Sequence, residues 1–155
     1  VSKFGYIKAI YLIRNNMLVP KKVKYRKWHT FREHPDKVGV ASRNVKVSFG
    51  SHGLKAVTGG RLTSNQIESA RKAISKNLGK TGRMWIRVFP DMPYTKKPAE
   101  VKMGKGKGEI QGYYVPIKPG TMVFEVDGVT TEVAKESLRK GGTKLPVKVK
   151  IIERI

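Results

Sequence analysis

A glycine–lysine alternation in the middle of the chain is the segment best suited to contact phosphate. Its residues are Lys102, Met103, Gly104, Lys105, Gly106, Lys107 and Gly108. Glycine permits positive φ and adds no side-chain bulk, so backbone N–H groups can approach a phosphate with a lysine at every second position. An unstructured lysine loop is the alternative interpretation. The spacing favours a phosphate-contacting loop.

Nucleotide hydrolysis and metal chemistry are disfavoured by what the chain lacks. A Walker A loop needs Gly-x-x-x-x-Gly-Lys-Ser/Thr at the start of a helix. The glycine–lysine segment has neither the hydroxyl residue nor a following helix pattern, and Glu109 breaks a Gly-x-Gly-x-x-Gly match. His29 and His34 are five residues apart among lysines and arginines, and there is no cysteine. We therefore predict no catalytic residue, cofactor, metal ion or small-molecule substrate.

A second basic segment, near the N-terminus, interleaves cations with aromatic rings. Its cations are Lys21, Lys22, Lys24, Arg26, Lys27 and Arg32, and its rings are Tyr25, Trp28 and Phe31. Cations contact phosphates, and flat rings stack on bases or riboses. Pro20 and the absence of periodicity predict an extended arm. Anchoring of the rings in the core is the alternative, and for Trp28 the two interpretations are balanced.

The net charge points to a polyanionic partner. The 155 residues include 33 Lys and Arg against 11 Asp and Glu, which gives +22, and most of the excess lies in the first ninety residues. Self-repulsion at this charge opposes compaction, so a nucleic acid is the favoured partner. A membrane surface would require a basic amphipathic helix, which only residues 3–14 approach. No apolar run reaches the roughly 20 residues of a membrane span.

Residues 1–16 are a basic, acid-free segment with an apolar stretch over residues 6–13. A signal peptide is disfavoured because Lys8 interrupts that stretch and no small-residue cleavage site follows. A transit peptide fits the charge better. We expect a short anchoring extension, with Met17 as an alternative start, followed by a single domain over residues 17–155.

The periodicity predicts two helices and several strands around these segments. Helices are predicted over residues 62–79, with a capping box from Thr63 and Gln66 and a stop at Gly79, and from Thr130 or Thr131 through Lys140. The second helix is predicted to turn Val133, Ala134 and Leu138 toward the core and to end at Gly141 and Gly142. Strands are predicted over residues 45–49, 84–89 and 145–152, with a hairpin over residues 113–117 and 121–126.

Runs of consecutive strands imply antiparallel pairing, so the predicted class is α+β: an antiparallel sheet with two helices packed on it, an α+β sandwich. Residues 91–112 show no helix or strand pattern and are predicted to form a protruding basic loop. Glu100 and Glu109 flank the glycine–lysine segment and are interpreted as its salt-bridge partners.

Several motifs resemble one family in order and nearly without gaps from residue 17 onward. They are PKKVKYRKWH (20–29), FGSHGLKA (49–56), GRLT (60–63), QIESARKAI (66–74), WIRVFPD (85–91), KPAE (97–100), MGKGKG (103–108), FEVDGV (124–129) and KLP (144–146). The chain resembles large-subunit ribosomal protein sixteen of bacterial type, whose archaeal and eukaryotic counterpart is ribosomal protein ten-e.

The resemblance implies an α+β ribosomal protein without catalytic residues, bound to large-subunit rRNA near the A site. The implied rRNA contacts are Lys21, Lys22, Lys24, Tyr25, Arg26, Lys27, Trp28, Arg32, Lys55, Arg61, Arg71 and Arg87. The segment from Lys102 to Gly108 would lie near the A-site tRNA and help to position aminoacyl-tRNA. Other implied partners are neighbouring ribosomal proteins, and the implied location is a ribosome of the bacterial cytoplasm, a mitochondrion or a plastid.

One departure from the family pattern concerns Lys102, where many bacterial members have arginine. Lysine lacks the bidentate phosphate geometry of arginine, and a modification of that arginine is not carried over. Two other classes remain as alternatives: a free DNA-compacting protein and a phosphoryl-transfer enzyme. The long glycine–lysine loop disfavours the first, and the missing Walker residues and acidic metal ligands disfavour the second.

Overall fold

Two antiparallel sheets and two helices make up the part of the chain that the computed structural model describes, residues 18–30 and 39–154. The elements are β1 (His52–Ala56), β2 (Gly60–Thr63), α1 (Ser64–Leu78), β3 (Arg83–Ile86), β4 (Met92–Lys96), β5 (Glu109–Ile117), β6 (Met122–Asp127), α2 (Thr131–Gly142) and β7 (Val149–Glu153). The predicted α+β class is confirmed, with two sheets in place of one. The extension over residues 1–16, Met17, Phe31, Arg32 and His34 lie outside the described residues.

The larger sheet has the strand order β3-β6-β1-β7 and the smaller has the order β2-β5-β4. The two helices pack against each other, α2 also contacts β1, β6 and β7, and α1 contacts β2, β3 and β5. Fully buried side chains fill the space between the helix pair and the larger sheet, among them Leu54, Ile74, Phe124 and Leu138. Leu18 of the N-terminal segment also packs against this core.

Helix α1 follows its local sequence signals closely. The Thr63 side chain accepts from the Gln66 N–H, and the Gln66 side chain accepts from the Thr63 N–H, so the predicted capping box is confirmed. Ile67 and Ile74 are buried on the predicted face. Gly79 follows the last turn with a φ of 67°, a conformation that glycine adopts without a Cβ penalty.

Helix α2 continues two residues beyond its predicted end. Gly141 and Gly142 were expected to stop the helix, but both lie inside it and are buried. Their role is close packing, since a Cβ at position 141 would lie 2.6 Å from Ile74 Cδ1 on α1. Val133, predicted to point inward, is 39% exposed, whereas Ala134 and Leu138 are buried as predicted.

We expect Gly141→Ala to destabilise the fold by about 1–3 kcal/mol, because the added methyl group would overpack a contact with the fully buried Ile74. Urea unfolding monitored by circular dichroism measures the change. Gly39→Ala is the matched control, since nothing lies within 4 Å of a Cβ built there. Equal stability of the two variants would show that the helix pair has room at this contact.

The hairpin predicted over residues 113–126 does not form. Strand β5 pairs with β2 and β4, whereas β6 pairs with β1 and β3 in the other sheet. The predicted turn is present: the Thr121 N–H donates to the Lys118 carbonyl at 3.2 Å, and Gly120 has a φ of 93°. This turn carries the chain from one sheet to the other. The hairpin prediction failed because a turn signal does not specify which strands pair.

The strand predicted over residues 45–49 is also wrong, since this segment is irregular. It crosses the face of the larger sheet opposite the helices, where Val47 lies over Gly53. The backbone N–H groups of Ser48, Phe49 and Gly50 donate to the Glu125 carboxylate and not to a neighbouring strand. The apolar alternation therefore reflects side-chain packing without strand pairing.

The region between residues 91 and 112 contains more strand than its sequence predicts. Strand β4 pairs with β5 between Glu109 and Tyr114, which leaves residues 97–108 without regular structure. Pro93 lies in β4, and this is compatible with an edge position in the order β2-β5-β4. We refer to residues 97–108 as the loop and to residues 18–30 as the arm.

Candidate nucleic-acid interface

The arm and the loop, which the sequence presents as two separate basic segments, contact each other. Lys27 Nζ donates to the Lys107 carbonyl at 3.1 Å, and Lys107 Nζ donates in return to the Trp28 carbonyl. At the end of the loop the Glu109 carboxylate pairs with Arg26 at 2.6 Å and lies 3.7 Å from Lys27 Nζ. Glu109 is therefore a salt-bridge partner, but of the arm and not of the glycine–lysine segment as predicted, and we call this set the arm–loop contact.

The loop owes its shape to consecutive residues in the left-handed region. Gly104, Lys105 and Gly106 have φ values of 95°, 51° and 94°. Nothing lies within 4 Å of a Cβ built at either glycine, so glycine is needed there for backbone conformation and not for space. Gly108 differs, because a Cβ there would lie 2.7 Å from the Lys96 carbonyl oxygen.

The tip of the loop presents cationic side chains together with an exposed methionine. Met103 is 91% exposed, and Lys102 and Lys105 are also exposed. Lys97 Nζ donates to the Gly104 carbonyl, which ties the tip back to the start of the loop. Successive backbone amides and nearby lysines in such a conformation can bind an anion.

The arm contains no helix or strand over residues 18–30, and its backbone bends at several positions, so the predicted extended conformation is not what the structure shows. Lys21, Lys22 and Lys24 are exposed and form no ion pair with an acidic group among residues 18–30 and 39–154. Tyr25 is 60% exposed and Trp28 is 37% exposed, so neither ring is a core anchor in this structure. The apolar anchor of the arm is Leu18, which packs against the core.

The remaining predicted contacts fall into two groups. Lys55 and Arg61 lie at the surface: Lys55 is half-buried on β1 opposite Lys150, and the exposed Arg61 lies 5.0 Å from the centroid of the Tyr114 ring. Arg71 and Arg87 are engaged with carboxylates. Arg71 forms two hydrogen bonds to Glu68, at 2.8 and 2.6 Å, and these lower the pKa of Glu68.

Arg87 belongs to a polar site that the sequence analysis missed. Its guanidinium pairs with Glu125, whose side chain has no solvent exposure. The other Glu125 oxygen accepts three backbone N–H groups of residues 48–50, at 3.1, 2.6 and 3.1 Å. An acidic residue inside the apolar run of β6 was the available signal, since a buried carboxylate needs a cation and hydrogen-bond donors.

Charges on α2 and β7 pair with each other, in contrast to those of the arm. Glu136 accepts from Arg139 at 3.0 Å and pairs with Lys140 at 3.1 Å, while Glu153 pairs with Lys135 at 2.8 Å. The hydrogen bonds from Arg139 and Lys140 lower the pKa of Glu136 to about 2. This face is close to neutral and is poorly suited to a polyanion.

We expect the Glu136 carboxyl to titrate near pH 2 in the folded protein, against an ordinary value of 4.5. A lowered folded pKa means that the stabilisation is complete above pH 4.5 and is lost as the pH falls toward 2. The difference in unfolding free energy between the parent and Glu136→Gln should therefore shrink over this range. Glu100→Gln is the control, and a difference that stays constant with pH would contradict the assignment.

Other classes of site find little support among the described residues. No helix in the described ranges is long and apolar enough to cross a membrane. Within residues 18–30 and 39–154, no three His, Asp or Glu side chains group in a way that could hold a metal ion. The groove between α2 and β7 is lined by Glu132, Lys135 and Glu153 among others, and it is an open surface feature with largely paired charges.

Comparison with known proteins decides the family. The model of the family "Ribosomal protein L16p/L10e" matches residues 20–152. The chain belongs to the ribosomal protein L16p/L10e family. A relative from Afipia carboxidovorans, named large ribosomal subunit protein uL16, is 49% identical over 139 residues, 90% of this chain and 98% of the relative. Proteins of the same name from Rhodopseudomonas palustris strains BisB18 and BisA53 are each 48% identical with the same coverage.

Membership in the L16p/L10e family confirms the resemblance found in the motifs. The matched range includes the arm from Pro20 onward, the loop, and the buried site at Glu125. The family consists of ribosomal proteins, so RNA binding and a part in translation follow for the chain, and it is not an enzyme class. The contacts of individual residues with RNA remain predictions.

Proposed function

We propose that this chain is a structural constituent of the large ribosomal subunit that binds large-subunit rRNA near the A site and helps to position aminoacyl-tRNA. The arm–loop contact is the observation that carries the proposal. It joins the exposed cations of the arm to a loop whose tip presents Lys102 and Lys105. The names of the relatives in Afipia and Rhodopseudomonas support the assignment to the large subunit.

The two parts of this surface suit two different RNA contacts. Exposed lysines on an irregular arm can follow a phosphate backbone by its shape and charge, which is how proteins bind structured RNA without a base-edge code. The loop offers backbone amides and two lysines at a narrow tip, which suits a mobile ligand such as the A-site tRNA. We accordingly assign rRNA binding to the arm and tRNA proximity to residues 102–108.

Arg61 and Lys55 are proposed as further rRNA contacts because their cationic groups remain at the surface. Arg71 and Arg87 can add to RNA binding only with the part of each guanidinium that its carboxylate leaves uncovered. Neighbouring ribosomal proteins are the proposed partners of the paired, nearly neutral face on α2 and β7. The proposed location is the ribosome of a bacterial cytoplasm or of an organelle.

Sucrose-gradient sedimentation of extract from the source cells or organelles tests the proposal. Probed with an antibody, the chain should migrate in equal stoichiometry with large subunits and should remain there after a moderate salt wash. Migration at the top of the gradient, or with DNA after nuclease treatment of the RNA, would contradict the proposal and favour a free DNA-compacting protein. Subunits that contain the chain then provide the material for variants of the arm and loop.

A further inference from the structure

An aromatic pair lies on the larger sheet, on the side opposite the helices and outside the arm and loop. Phe49 is 54% exposed although it is a large apolar side chain. Its ring stacks with that of Trp85, with centroids 6.2 Å apart and planes inclined by 24°. The Arg87 guanidinium lies 4.7 Å from the centroid of the same Phe49 ring. Of these three residues only Arg87 enters the function proposed above, as a partly covered phosphate contact, and the two rings have no role there.

We propose that Phe49, Trp85 and Arg87 form a stacking site for an unpaired nucleobase of RNA. The proposal rests on the proposed function only in taking RNA as the partner. It adds a site that binds a base, whereas the arm and loop are suited to phosphates.

More than half of the Phe49 surface is accessible to a ligand. Trp85 and Arg87 are two residues apart at the end of β3, so their side chains project to the same side of the sheet. Both contact the Phe49 ring, and the exposed remainder of this side chain faces solvent. A flat base placed there would extend an existing stack of guanidinium and aromatic rings.

The site is also rigid before any ligand arrives. The buried Glu125 carboxylate holds the backbone N–H of Phe49 at 2.6 Å and those of its two neighbours at 3.1 Å. The same carboxylate pairs with Arg87 and so fixes the group beneath the ring. A stacking site with preset geometry loses little side-chain entropy on binding, which favours affinity.

Charge near the site favours a nucleic acid over a protein as the occupant. Lys46 and Arg43 precede Phe49 in the same surface segment and are exposed, and Arg83 is exposed at the start of β3. Glu125 is fully buried, so its charge is not presented to solvent. Cations around an exposed ring match an unpaired base with its flanking phosphates.

A second aromatic pair in the chain serves as an internal comparison. Tyr94 and Tyr114 have centroids 6.3 Å apart, and Arg61 lies over Tyr114. The Tyr94 ring, however, packs closely over Gly112, where a Cβ would lie 2.9 Å from Cε1. Tyr94 is 38% exposed against 54% for Phe49, and Gly112 covers part of its ring, so we expect a base to stack less well on it.

Tryptophan fluorescence can report on the site directly. The chain has two tryptophans, so Trp28→Phe in the full chain leaves Trp85 as the sole emitter. This protein is titrated with a short oligoadenylate and with an abasic ribose-phosphate oligomer of the same length and charge. We expect saturable quenching of Trp85 by the oligoadenylate alone. Equal quenching by the abasic oligomer, or no quenching by either, would overturn the proposal.

Substitution of Phe49 separates stacking from general charge attraction. In the Trp28→Phe protein, Phe49→Leu should weaken oligoadenylate binding by roughly 5- to 150-fold, the range found when one stacking side chain is lost. Tyr94→Leu is the matched control and should bind as the parent does. Unchanged affinity of Phe49→Leu for the oligonucleotide would overturn the proposal. This holds even if the variant associates poorly with subunits, because Phe49 would then contact a neighbouring protein and not a base.

Failure of this proposal and failure of the proposed function give different results. Sedimentation with the large subunit together with base-independent quenching would remove the stacking site and leave the ribosomal role intact. Base-dependent quenching in a chain that migrates apart from ribosomes would support the stacking site and contradict the ribosomal role.

Discussion

Glu125→Ala is expected to lower the free energy of unfolding by about 3–5 kcal/mol, the cost of breaking a buried ion pair by removing one partner. The variant leaves the Arg87 guanidinium without its carboxylate and removes the acceptor of three backbone N–H groups. Because a domain of this size is stable by about 5–15 kcal/mol, about a fifth or more of its stability is involved. Urea unfolding followed by circular dichroism measures the loss.

Two further variants test whether the loss comes from the unpaired charge. The double replacement Arg87→Met with Glu125→Leu removes both charges and should recover part of the stability, as apolar replacements of buried ion pairs often do. Glu136→Ala removes an exposed, ion-paired carboxylate and should have a much smaller effect. If Glu125→Ala were as stable as Glu136→Ala, the residues 48–50 would be held by contacts other than this carboxylate.

The elements that the sequence predicts well are those whose determinants are local. Helix α1 is defined by Thr63, Gln66 and Gly79, all within or next to the helix, together with apolar residues at helical spacing. The structure reproduces this helix to within two residues at its start and one at its end. The α+β class follows in the same way, from the order of helix and strand patterns along the chain.

Long-range contacts account for the errors. The pairing of β5 with β2 and of β6 with β1 depends on strands more than fifty residues apart, which no turn signal encodes. Residues 45–49 alternate as a strand does, yet the N–H groups of Ser48 and Phe49, and that of Gly50 after them, bond to a carboxylate about 75 residues away. The end of α2 was misplaced because Gly141 is selected by its contact with Ile74 on the other helix.

In the candidate site, too, local features were predictable from the sequence and long-range contacts were not. Composition and spacing alone indicate that the arm and the loop are basic, and the loop glycines do take the positive φ values that their type permits. The contact between the two segments joins Lys27 to Lys107, eighty residues later, and was not predictable from either segment. Because of this contact Lys107 belongs to the arm as much as to the loop, so Lys102 and Lys105 are the residues with which to test the tip.

Replacing Lys21, Lys22 and Lys24 together by glutamine is expected to weaken binding to large-subunit rRNA by roughly 100- to 500-fold at about 0.1 M salt. Each lysine that neutralises a phosphate releases a counterion, so the salt dependence of log K should become less steep by about 2–3. These side chains are exposed and form no ion pair with the described acidic groups, so their loss should leave folding unchanged. Filter binding to an rRNA fragment across a salt series measures both quantities.

Two matched variants show whether the location of the charge matters. Replacing Lys80, Lys144 and Lys148 by glutamine removes the same charge from exposed positions outside the arm and loop, and it should change rRNA affinity much less. Replacing Lys102 and Lys105 should preserve entry of the chain into subunits but slow accommodation of aminoacyl-tRNA, because the tip is not part of the arm–loop contact. If all three variants lost rRNA affinity equally, net charge alone would drive binding, and the assignment of rRNA to the arm and tRNA to the tip would be wrong.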